Sequence, residues 1–309
     1  MLIKTVKKNV MKNPRILNYI VVTIILILLV LIVCIDTPSD YPEGDFHALV
    51  ISDTHISNDE TKDKRLLQLI HQINENNFPQ VKFLIVTGDV VSRIYSDYTD
   101  DNPDTSNSRL IKAVDLFNQL TIPYYLVMGN HDYKIGPDVD SDGYFAGEEI
   151  LKIEKIWKRH TGLPPYYYFK YNGWHFIVLN SFRGRYLHRY FDEEQLDWFQ
   201  NVMSADEPTV VFSHFPLKTD HYRIWCKSKD LISPELENRF FSILEEHKGQ
   251  IKGIFVGHGH RWVRDRLGDT IPVYETDSFA DSKTLPYYVI GFDGRKKIHV
   301  ARSPLKISN

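Results

Sequence analysis

From residue 46 onward, short apolar runs alternate with segments whose apolar residues recur every three or four positions, the pattern of strands joined by amphipathic helices. The runs at 46–52, 81–87 and 123–128 stop at Asp53, at Gly88-Asp89 and at Gly129, so each expected strand ends in polar or glycine residues. Between them, Leu66, Leu69, Ile70 and Ile73 share one face of a helix expected over 61–77. Leu110, Val114 and Phe117 do the same over 108–120. Further strands are expected at 166–171, 174–180, 208–213, 251–256, 271–275 and 286–301, the last bent into a hairpin at Asp293-Gly294. Asp192 with Gln195 three residues on forms a capping-box pattern, and Ser233 before Pro234 marks another helix start. So many strands do not fit one open sheet, and the pattern predicts an α/β domain of two sheets with helices on the outer faces.

The first 45 residues break this rhythm. Residues 16–35 are dominated by Ile, Val and Leu, and a helix rising about 1.5 Å per residue over that length spans a hydrocarbon core of about 30 Å. A buried soluble helix would carry a polar face, whereas 20–35 offers only Thr23 and Cys34. A cleaved signal peptide would end in small residues, and here Ile32, Val33, Cys34 and Ile35 follow. Val33 also argues against lipidation at Cys34. Lys4, Lys7, Lys8, Lys12 and Arg15 precede the run, while Asp36, Asp40, Glu43 and Asp45 follow it, so the basic side is expected in the cytoplasm. The expected organisation is a basic cytoplasmic segment at 1–15, a transmembrane helix at 16–35, a linker at 36–45 and an extracytoplasmic domain at 46–309.

Composition adds exclusions. A net charge of −3 over 309 residues supplies no basic field, so no nucleic-acid partner is expected. The two cysteines, Cys34 and Cys226, lie far apart in unlike surroundings, which rules out a disulfide framework and a thiolate metal site. Oligomeric state is not legible in the sequence.

The candidate chemistry sits where the strands stop. Asp53 and His55 are two residues apart at a strand end, where extended geometry would send both side chains to the same side. Asp89, Asn130, His214, His258 and His260 follow four further strands, and in α/β sheets ligands gather beyond the carboxyl ends of strands. Mixed carboxylate, amide and imidazole donors suit Mn, Fe or Zn rather than Mg or Ca. Any one of these short motifs is weak alone, but the flanking glycines of Gly129-Asn130-His131-Asp132 and Gly257-His258-Gly259-His260 permit tight, crowded turns.

Together the blocks Asp53-x-His55, Gly88-Asp89, Gly129-Asn130-His131-Asp132, His214 and Gly257-His258-Gly259-His260 resemble the calcineurin-like metallophosphoesterase family. The resemblance runs over about residues 46–262. It implies a four-layer αββα sandwich with two divalent metal ions at one edge, which acidify a shared water and clamp the phosphate for in-line displacement. By the family pattern, Asp53, His55, Asp89 and His260 hold one ion. Asp89 bridges to a second held by Asn130, His214 and His258. His131 would contact the phosphate or protonate the leaving oxygen, and Asp132 would either orient His131 or tie down the turn.

Ser92 stands where purple acid phosphatases carry a tyrosine, and Ser92, Ile94 and Asp132 depart from the protein serine/threonine phosphatase pattern. Arg93, Arg183, Arg185 and Arg223, the last three in loops mixing cations and aromatics, are candidates to grip an anionic substrate. The polar stretches 95–108 and 134–147 are candidates for a pocket rim. The expected substrate is a small phosphomonoester or phosphodiester, such as a nucleotide or a phospholipid-derived headgroup. The competing reading is an inactive metal-binding scaffold or sensor at the membrane. His47, His71, His160, His175, His188, His221, His247 and His299 fit no block and are read as structural or surface residues.

Overall fold

A computed structural model describes residues 39–95, 108–134, 147–184, 189–203, 206–222 and 230–306. The expected membrane helix at 16–35 lies outside the described residues, and among those described no helix is long and apolar enough to cross a membrane. Ser39–Asp40 (β1), expected as linker, pairs in parallel with Leu305–Lys306 (β13). Tyr41 then donates from its hydroxyl to the Pro79 carbonyl at 2.8 Å, so the chain joins the domain several residues earlier than its composition suggests.

The remaining strands are β2 (Phe46–Ile51), β3 (Val81–Val86), β4 (Tyr124–Leu126), β5 (Tyr167–Tyr171), β6 (Trp174–Val178), β7 (Thr209–Phe212), β8 (Ile251–Val256), β9 (Val263–Leu267), β10 (Ile271–Glu275), β11 (Tyr288–Phe292) and β12 (Ile298–Arg302). The helices are α1 (Glu60–Asn74), α2 (Arg109–Phe117), α3 (Gly147–Thr161), α4 (Glu193–Met203) and α5 (Asn238–Glu246). One sheet runs β12-β11-β2-β3-β4 and the other β5-β6-β7-β8-β10-β9. Within them β2, β3 and β4 are parallel, as are β6, β7, β8 and β10. The carboxyl ends of each parallel set therefore lie along one edge of its sheet.

Strand periodicity builds the layers. In β2, Ala48 and Val50 face an aromatic inter-sheet core with Phe83, Phe176, Phe212, Phe255 and Phe292. Leu49 and Ile51 face the opposite side, where α1, α2 and α3 pack through Leu66, Leu69, Phe117 and Trp157. On the second sheet Val211, Ile254 and Val256 meet Leu196, Phe199, Phe240 and Leu244 of α4 and α5. The result is helix, sheet, sheet, helix, as the alternation of apolar residues predicts.

Several local expectations need correction. Asp192 does cap α4, accepting from the Gln195 backbone N–H at 3.0 Å. Ser233-Pro234 opens only a turn, and α5 starts at Asn238. Glu237 interrupts at φ −129°, its buried carboxylate accepting from the Tyr190 and Phe191 backbone N–H groups, a tertiary tie that no local pattern announces. α3 and the edge strand β9 were not expected at all.

Candidate metal centre

All seven expected ligands gather where parallel strands end. Three groups of side chains place a ligand atom from each member within 4.8 Å of the others: Asp53, His55 and His260; His55, Asp89 and His131; and Asp89, His214 and His258. Convergence does not come from extended backbone, as the Asp-x-His spacing suggests. Asp53 (φ 54°), His55 (φ 43°), Asp89 (φ 50°), His258 (φ 68°) and His260 (φ 50°) all occupy the left-handed region, where a side chain costs about 1–3 kcal/mol. β2, β3 and β8 thus end in sharp left-handed turns that aim these side chains across the edge, whereas Asn130 after β4 is right-handed at φ −68°.

The turns are close enough that only glycine fits beside the ligands. A Cβ at Gly129 would lie 2.3 Å from Asp89 Oδ1, and one at Gly257 would lie 2.8 Å from Asp53 Oδ2. The charged side chains are buried together: Asp53 and His214 are 0 % exposed and Asp89 is 1 %. Such a cluster requires compensating charge.

Asp89 faces both ways. Its Oδ1 lies 3.3 Å from His214 Nε2 and accepts the His131 backbone N–H at 2.8 Å, while Oδ2 lies 3.7 Å from His55 Nε2. On one side, His260 Nε2 and His55 Nε2 approach Asp53 Oδ1 to 3.2 and 3.8 Å. That oxygen is buried and lacks a hydrogen bond of good geometry. On the other side, the Asn130 amide oxygen lies 3.1 Å from His214 Nε2 and 3.0 Å from His258 Nδ1.

The opposite ring nitrogens are held by acceptors: His214 Nδ1 donates to the Thr87 carbonyl at 2.8 Å, and His258 Nε2 faces Asp230 Oδ2 at 3.2 Å. His260 Nδ1 likewise faces Asp281 Oδ2 at 3.1 Å. These contacts leave one lone pair of each ring aimed at the cluster, the orientation that metal-ligating histidines require. Lone pairs of two imidazoles and an amide oxygen meeting at one point repel unless a proton or a cation lies between them. The donor set, the unbonded Asp53 oxygen and the glycine-lined space thus fit two divalent ions.

Electrostatics agree. Burial disfavours the charged form of Asp89, yet His214, His55 and His131 hold its carboxyl well below the usual carboxylate range. Burial likewise opposes the His214 imidazolium, but Asp89, Asp53 and the Thr87 carbonyl push its pKa up to about 9. Without metal, protons therefore occupy the centre that cations would fill.

Asp132 is not a partner of His131. Its buried carboxylate accepts from the backbone N–H groups of Val90 at 3.2 Å, Val91 at 3.0 Å and Gly129 at 2.8 Å, binding the Asp89 turn to the Asn130 turn. Each donor left unsatisfied would cost about 1–3 kcal/mol. The His131 ring is oriented instead by the Ser92 carbonyl, 2.9 Å from Nδ1. Because these partners are backbone atoms or distant carboxylates, Thr87, Ser92, Asp230 and Asp281 left no signal in the motifs.

The arginine expectations fare differently. Arg183 is buried among carboxylates, pairing with Asp192, Glu154 at 3.4 Å and Glu194 at 2.8 Å. Its guanidinium is thereby engaged in joining α3 to α4, which corrects its reading as a substrate grip. Arg93 is half-buried beside Ser92. Arg185 and Arg223 lie outside the described residues, as do 96–107 and 135–146 of the expected pocket rims.

A two-sheet α/β sandwich with these Asp and His clusters at its strand ends is a metallophosphoesterase domain. The calcineurin-like phosphoesterase family model matches residues 46–262, and the chain belongs to that family. It is similar in fold to a dimetal phosphatase from Danio rerio, at 13 % identity and TM-score 0.59, covering 86 % of this chain and 100 % of that one. A 5′-nucleotidase from Candida albicans aligns at 14 % identity and TM-score 0.51, over 86 % of this chain and 53 % of that one. A putative 5′-nucleotidase from Staphylococcus aureus aligns at 16 % identity and TM-score 0.50, over 85 % and 54 %. The chain thus spans about half the length of each nucleotidase. No curated protein sequence matches it significantly.

Proposed function

We propose that this protein hydrolyses a small phosphoester with two divalent ions of the Mn, Fe or Zn type, one held by Asp53, His55, Asp89 and His260, the other by Asp89, Asn130, His214 and His258. The observation that carries the reading is the two-sided Asp89 carboxylate, whose oxygens lie 3.3 Å from His214 and 3.7 Å from His55. When bound, the ions supply an acidified water and neutralise phosphate oxygens.

The chain's own groups do the rest. With its Nδ1–H committed to the Ser92 carbonyl, the His131 ring carries a proton on Nε2 only as imidazolium. That is the proton it would share with a phosphoryl oxygen or hand to the leaving oxygen. Asp132 holds the turn so that Nε2 keeps its position, and the surrounding left-handed turns limit reorganisation during the reaction.

Two considerations bear on the substrate class: the likeness in fold to two 5′-nucleotidases favours a nucleotide, and residues 16–35 favour a phospholipid-derived headgroup if they anchor the enzyme with its domain outside the cytoplasm. The test is metal analysis of the purified full-length chain, followed by turnover of model phosphomonoesters and phosphodiesters. Two bound ions per chain and hydrolysis are expected. Fewer than one ion and no turnover with added Mn would overturn the reading.

A further inference from the structure

Lys134 lies in the structure where no family block points. It closes the short 3₁₀ turn at His131–Tyr133, and its ammonium stands 3.5 Å from His131 Nε2. That nitrogen is the one left facing the cluster once Nδ1 donates to Ser92. His131 itself belongs to the group formed with His55 and Asp89. A second cationic donor therefore sits beside the His131 nitrogen at the rim of the metal centre.

Several cations elsewhere in the domain are paired with carboxylates. Lys112 meets Asp63 and Lys218 meets Glu235, both at 2.6 Å, while Arg183 and Arg189 each bind more than one carboxylate. Lys134 is half-buried and, among the described residues, has no carboxylate within ion-pair distance. A partly desolvated ammonium without a counter-ion is costly unless an anion arrives to meet it.

The chemistry of that anion follows from charge. A terminal phosphoryl group carries close to two negative charges near neutral pH and three free oxygens. A phosphodiester carries one charge and two free oxygens. We propose that Lys134 is a phosphate-contacting residue which makes the site select terminal phosphate groups over diesters. This rests on the phosphoesterase reading above.

The experiment compares binding as well as turnover. Inorganic phosphate and dimethyl phosphate are titrated calorimetrically into the Mn-loaded full-length protein and its Lys134→Met and Lys134→Arg variants. Lys134→Met is expected to weaken phosphate about tenfold or more, the loss of one charge-assisted hydrogen bond, and dimethyl phosphate much less, with Lys134→Arg restoring most of the difference. Monoester and diester kcat/KM should diverge in the same sense. An unchanged ratio of the two affinities in Lys134→Met, whether both are retained or both fall equally, overturns the inference. Intact selective binding without turnover would instead count against the hydrolase reading alone.

Discussion

The two halves of the metal centre are built from similar side chains but set in unlike surroundings. In the Asp53 half, the His260 side chain is 38 % exposed and leans on Asp281, itself 58 % exposed. In the His214 half, the imidazole is fully enclosed and anchored to a backbone carbonyl that cannot swing away. Electrostatic interactions strengthen as water is excluded, and a backbone acceptor loses no side-chain entropy in holding a ring. The His214 half is the pre-organised one and should keep its ion longer against a chelator. The Asp53 half opens toward solvent and should exchange first.

The largest effect is expected where the comparison collapses. Asp89 serves both halves, so Asp89→Ala should reduce bound metal from two ions to fewer than one and abolish turnover, measured by elemental analysis on the purified protein. Retention of two ions would show that the halves are independent. His131→Gln should leave metal content unchanged and lower kcat by about 10²–10⁴-fold, because the ring belongs to neither of the proposed ligand shells.

The outer partners sharpen the contrast. Asp230→Asn should weaken metal binding by about 10–100-fold, since it orients a ligand of the enclosed half. Asp281→Asn should do less, because an exposed carboxylate is screened. Competition against a fluorescent chelator measures both, and equal losses would erase the distinction drawn between the halves.

The smallest effect concerns the metal-free state. His214 titrates at about 9 in the fold against about 6.5 in an unfolded chain. Its protonation therefore stabilises the apo-protein fully below pH 6.5, and that contribution is lost as pH rises through 9. His260 is shifted in the same direction, chiefly by its close contact with the Asp53 carboxylate, against burial. The Tm of the apo-protein should fall between pH 6.5 and 9.5 by the equivalent of roughly 3 kcal/mol, while the metal-loaded protein shows little slope. A flat apo profile would mean that His214 is neutral without metal.

Much of this was legible beforehand. The alternation of Ala48 and Val50 with Leu49 and Ile51 fixes which face of β2 meets the aromatic core and which meets α1, because side-chain direction along a strand has a period of two. The ligand types and their place after strand ends were readable for a related reason: glycines and polar residues interrupt apolar runs where the chain must turn. Asp192 capping α4 is equally local. Tertiary structure alone decided the rest. Asp53 and His55 converge through left-handed turns, whose strain is sustained by contacts from residues more than two hundred positions away, such as the His258 backbone N–H on Asp53. Asp132 ties two turns together, and Arg183 sits among carboxylates. Ser92 and Asp230 acquire their roles at His131 and His258 only in the fold. These are relations between distant segments, and a pattern read along one chain carries no term for what packing brings across from another strand.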